Sequence, residues 1–108
     1  MRFAFQGDDW RIRFQYGNIV EDEAGNALWE NPAGRGHGRH PNHTMCFLER
    51  WDEFERKWLV EEVGESWCNQ QDQFVKEVGR KLSLLRALEE SDHALRTTAC
   101  NTYFKRFL

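Results

Sequence analysis

Four side chains of metal-binding type recur at a fixed interval in one short segment. His37, His40, His43 and Cys46 form an H-x2-H-x2-H-x2-C series. Imidazole nitrogens and thiolates are the usual zinc ligands, and a structural zinc site takes four of them in a tetrahedron. The neighbouring glycines and Pro41 suit such a site, because an irregular backbone can turn successive side chains inward around an ion. Cys46 stands where strand character begins, and Cys68 offers an alternative fourth ligand if the segments 44–51 and 57–63 pair. The expectation is one structural zinc ion on His37, His40, His43 and Cys46. The competing expectation is a solvated polar loop, with Cys46 a small buried apolar residue.

Catalytic templates fit poorly. No H-E-x-x-H, no G-x-x-x-x-G-K, no G-x-G-x-x-G after a strand and no nucleophile elbow occurs. Gly34-Arg35-Gly36-His37-Gly38-Arg39 has the composition of a phosphate cradle, but glycine spacing alone does not define one. His93 reads as a surface residue. The chain is therefore expected to be a binding protein and not an enzyme. One alternative is a small metal-containing nucleic-acid-binding module, with Arg35, Arg39, Lys76, Arg80, Lys81 and Arg86 meeting phosphates.

The elements that must position these residues follow from periodicity. Phe3 and Phe5 alternate with polar neighbours, Gly7-Asp8-Asp9 reads as a turn, and Trp10, Ile12, Phe14 and Tyr16 recur at period two. This predicts a hairpin. Residues 18–43 lack sustained periodicity and read as one long His-rich loop. Met45, Phe47 and Trp51 alternate with Cys46 and Leu48 in a third strand, and 57–63 offers a fourth, with Gly64 marking a bulge or bend. Asn69 is a suitable N-cap, with Asp72 placed favourably for the helix dipole. Phe74, Val75, Val78, Leu82, Leu85 and Leu88 then recur at helical spacing and read as a packing face, with Gly79 allowing close approach to another backbone. Ser91 caps a second helix that carries Leu95, Ala99, Tyr103 and Phe107 on one side. The predicted fold is a single α+β domain over 1–108: an antiparallel sheet of about four strands packed by two C-terminal helices.

A chain of 108 residues with 40% apolar residues and five tryptophans can build one such core without disulfides. The three cysteines are odd in number, and neither a long apolar span nor a signal-like stretch opens the sequence, so a reducing cytoplasm is expected. The net charge of −3 is uneven. Residues 1–65 carry 8 basic and 13 acidic groups, a balance of −5, and residues 66–108 carry 7 and 5, a balance of +2.

Over 44–108 several short patterns stand together: Thr44-Met45-Cys46, then Cys68, Asp72-Gln73-Phe74-Val75-Lys76, Gly79-Arg80-Lys81 and Arg86-Ala87-Leu88, with the aromatic-basic run Tyr103-Phe104-Lys105-Arg106-Phe107. This half of the chain resembles small, mostly uncharacterised bacteriophage and prophage proteins. The resemblance implies a fold signature on Asp72, Phe74, Gly79 and Arg80. It further implies a protein that acts by occupying a host protein's surface, as anti-CRISPR proteins do. Its expected partner is a bacterial defence protein, a CRISPR effector in the first instance, met in the host cytoplasm. Glu53, Glu55, Glu61, Glu62 and Glu65 are the carboxylates expected to dock on a basic groove of that partner.

Overall fold

Gln6 and Gly7 both adopt left-handed backbone, with φ of 51° and 82°. Two consecutive residues of that hand make the tight turn whose twist matches a β-hairpin. The turn joins β1 (Arg2–Phe5) to β2 (Asp8–Glu21), and Phe3 pairs across it with Trp10, their rings stacked at 6.2 Å. The computed structural model describes residues 1–21, 23–30, 42–68 and 75–107, and of 18–21 and 27–30 the backbone alone. The expected cap at Asn69 and the Asp72–Phe74 part of the helix signature lie outside the described residues.

The period-two segments form strands as expected, with two differences. First, β2 does not stop at Tyr16 but runs on to Glu21 and pairs with β3 (Ala27–Glu30), so part of the expected long loop is a second hairpin. Mixed composition hid it: backbone ladders form there without an alternating apolar signal. Second, β4 (His43–Asp52) and β5 (Lys57–Trp67) pair over their whole length, but the irregularity falls at Glu61 and not at Gly64. Leu48 faces Glu62 and Glu49 faces Val60, which leaves Glu61 as the extra residue of a bulge. All strand pairs are antiparallel, in the order β1-β2-β4-β5, with β3 beside the far part of β2.

Both helices lie on the sheet face that carries Trp10, Ile12, Cys46 and Leu48. The second helix, α2 (His93–Phe107), buries Leu95, Ala99 and Tyr103, and Tyr103 meets Phe14 edge-on at 6.0 Å. Its cap is Asp92, one residue beyond the expected Ser91, with Oδ1 accepting from the Leu95 backbone N–H at 2.8 Å.

The first helix, α1 (Lys76–Ala87), packs differently from its apolar pattern. It buries Gly79, Ser83, Leu84 and Ala87, with Leu88 just beyond its end. A Cβ on Gly64 of β5 would collide with the Ser83 carbonyl and the Ala87 backbone, and one on Gly79 would collide with the Thr44 hydroxyl. Two glycines, one on each element, thus let helix and sheet approach closely. Ser66 Oγ completes the contact by donating to the Gly79 carbonyl at 3.0 Å. Gly79 allows a close approach as expected, but to the Thr44 side chain and not to another backbone. The apolar series around it does not form the packing face expected of it.

Candidate docking surface beside the fifth strand

Of the expected zinc ligands, His37 and His40 lie outside the described residues. His43 and Cys46 are both buried, but successive strand residues point to opposite faces, so residues three apart cannot share one. Cys46 faces the helices within the core, and burial pushes its thiol up to about 12. His43 faces the other way. Its Nε2 lies 2.8 Å from Glu65 Oε2 and its ring 4.4 Å from that of Trp67, its cross-strand partner. The structure therefore does not bring His43 and Cys46 together. Among the described residues no group of three or more His, Cys, Asp or Glu is placed to hold a metal.

The same face carries an arginine–aromatic array. Glu49 accepts from Arg11 Nε at 2.6 Å and from Arg13 Nε at 3.1 Å. Burial works to raise its carboxyl, but the bonds from Arg13 and Arg11 outweigh that and leave it below the ordinary carboxylate value. Arg11 also lies over Trp58 at 4.5 Å, Arg13 over Phe47 at 4.3 Å, and Trp58 meets Trp51 edge-on. A shallow cavity of about 300 Å³ opens between Arg2, Asp9, Trp51 and Trp58. The ring faces here already hold cations of the chain itself.

The helix cations expected for phosphate binding do not form a face. At 100° per residue Lys76, Arg80, Lys81 and Arg86 spread around most of α1. Each is engaged: Lys76 over Tyr16, Arg80 with Tyr103 and over Phe107, Lys81 with Glu77, and Arg86 on the Glu65 carbonyl.

The five expected docking carboxylates all fall on the β4–β5 hairpin, but as a line and not a cluster. Glu53 and Glu55 are exposed at the turn, where Glu55 pairs with Lys57 at 2.8 Å. Glu61 at the bulge pairs with Arg50 at 3.0 Å, Glu62 beside it is half-buried, and Glu65 is held by His43. Three of the five thus lie along β5.

What the sequence pattern misplaced is the surface next to them. Val75, Val78, Leu82 and Leu85 were expected to face the core, yet they are 48, 53, 39 and 55% exposed. They fall within an arc of roughly 80° on α1, adjacent to Arg86. Arg86 reaches over the border of the sheet to donate to the Glu65 backbone carbonyl at 2.6 Å. The apolar stripe therefore runs beside β5, where Val63 and Trp67 are also exposed. The signal that could have found it is the small-residue series Gly79, Ser83 and Ala87 at four-residue spacing. Such residues mark the face that approaches a neighbour closely, and they leave the larger apolar residues outside.

No protein-family model, curated protein or solved structure matches this chain.

Proposed function

We propose that this chain is a binding protein that inhibits a partner protein by docking through α1 and β5. The observation that carries this reading is the exposed stripe of Val75, Val78, Leu82 and Leu85 on a helix whose own packing uses other residues. Apolar surface of this extent beside a polar rim is characteristic of protein interaction sites. Covering the exposed half of each side chain would contribute about 1 kcal/mol per residue. Trp67, with a rigid ring and a polar N–H, is the residue type most enriched among energetic anchors.

The resemblance of 44–108 to phage and prophage proteins supports placing the partner among bacterial defence proteins, with a CRISPR effector as the first candidate. The carboxylates Glu61, Glu62 and Glu65 along β5 fit a basic surface on that partner. The nucleic-acid alternative has less support, since the helix cations are spread and engaged within the chain.

The test is capture of CRISPR effectors on the tagged protein after nuclease treatment, beside a Val78→Lys/Leu85→Lys variant. Retention of one effector by the wild type, and at least about tenfold less by the variant, is expected, since two lost contacts of this size exceed 1.4 kcal/mol. Equal retention by both proteins would remove the stripe from the interface.

A further inference from the structure

We infer that the partner engages by adding an extended strand to the outer border of β5, and that this strand alternates basic with apolar side chains. This rests on the docking role proposed above and specifies its chemistry.

β5 ends the strand order, and among the described residues no strand lies beyond it. The direction of its backbone groups follows from two hydrogen bonds. The Cys68 N–H donates to the Asn42 carbonyl at 2.8 Å, just beyond the His43/Trp67 pair, which makes that pair one whose own backbone groups do not bond each other. Such pairs, whose N–H and C=O point away from each other, alternate with hydrogen-bonded pairs. Thr44/Ser66, Cys46/Gly64 and Leu48/Glu62 therefore bond across the ladder, while Val63, Glu65 and Trp67 turn their backbone groups outward. The second bond agrees independently: the Glu65 carbonyl is the one that Arg86 reaches from outside. Val63, Glu65 and Trp67 thus offer amides at i, i+2 and i+4, the pattern to which an incoming strand bonds. Arg86 holds one carbonyl of this row with a flexible, exposed side chain that a strand N–H can replace.

Both sides of an added strand would find apolar surface. Its side chains on one face would lie beside Val63 and Trp67, and those on the other beside the α1 stripe. Charge selects the occupant. Glu65 shares its face of β5 with Val63 and Trp67, so basic residues on that side of the added strand would face its carboxylate, with apolar residues on the other side toward α1. A second copy of the chain fits less well. Antiparallel self-pairing centred on Glu65 sets Glu65 against its own copy, and pairing centred on Val63 sets Glu61 against Glu65. Like charges directly opposite are destabilising.

The test uses the full chain, isotope-labelled, with two capped nonapeptide probes: alternating Lys-Val and alternating Glu-Val. With the Lys-Val peptide at saturation, amide exchange at Val63, Glu65 and Trp67 should slow at least about tenfold, and the Glu-Val peptide should bind at least about tenfold more weakly. Val63→Pro removes one outward N–H without touching the ladder to β4, so it should weaken the Lys-Val peptide by a similar factor while the melting temperature holds. Should that variant fail to fold, the wild-type exchange pattern decides alone. Absence of protection at these amides, equal binding of both peptides, or protection that rises with protein concentration without peptide would overturn the inference, the last in favour of a second copy. The two proposals fail separately. Effector capture lost in Val78→Lys/Leu85→Lys but kept in Val63→Pro would retain docking and reject strand addition. Capture kept in both variants would reject docking itself.

Discussion

Cys46 and His43 stand three residues apart on one strand, and the alternation of that strand sends them to opposite environments. Equal spacing of ligand types is a statement about a segment without regular structure; once part of it is a strand, the spacing loses that meaning. Cys46 becomes a buried apolar residue whose thiol stays protonated far above neutral pH. It should resist a thiol reagent at about pH 8 in the native protein and react only after unfolding, since the thiolate is the reactive species. Native labelling of Cys46, read by mass spectrometry, would contradict its placement. Glu49 is the opposite case, a carboxylate buried with two guanidiniums that no pattern in the sequence paired with it. Its folded value is depressed, so it adds stability above the ordinary carboxylate value, and that contribution is lost as the pH falls through the folded one. Glu49→Gln should cost about 1 kcal/mol at neutral pH. The gap from wild type in denaturant titrations should then close as the pH falls below the ordinary carboxylate range. A gap independent of pH would show that the carboxylate charge is not what the arginines hold.

At the scale of elements, the strands were legible and the helix contact was not. Period two located β1, the first part of β2 and β4, because each has one face on the core and one away from it, while the apolar residues of 57–63 located part of β5. The bulge at Glu61 was hidden, since one extra residue inside Glu61-Glu62 changes register without changing composition. The helix was legible as a helix, but its apolar period says which residues are alike and not what they touch. Here the contact is made by residues chosen for smallness, and these carry almost no hydrophobic signal. Gly64 and Gly79 should respond differently to a methyl group. Gly64→Ala meets helix backbone and should cost about 3 kcal/mol, at the upper end for overpacking. Gly79→Ala meets the Thr44 side chain and regains about 1 kcal/mol of helix propensity, so its net cost should be smaller. Chemical denaturation of the two variants ranks them, and a larger loss at Gly79 would contradict the packing described.

At the scale of the molecule, a sheet covered by two helices on one face accounts for Cys46, Gly64, Gly79 and the rings of Trp10, Phe14 and Tyr103, and leaves Val75, Val78, Leu82 and Leu85 of α1 exposed. The exposed residues of α1 lie to one side of the outer strand, and Val63 and Trp67 to the other, with carboxylates along that strand. Among the described residues no helix is long and apolar enough to cross a membrane. All of this depends on Val75, Val78, Leu82 and Leu85 being spare. The most direct measurement is the unfolding free energy of Leu84→Ala beside Leu85→Ala, two adjacent leucines on opposite sides of that distinction. Leu84 is buried and should cost about 3 kcal/mol on truncation, whereas Leu85 should change stability by no more than about 0.5 kcal/mol. Comparable losses at the two positions would mean that the stripe belongs to the core, and would contradict the docking surface.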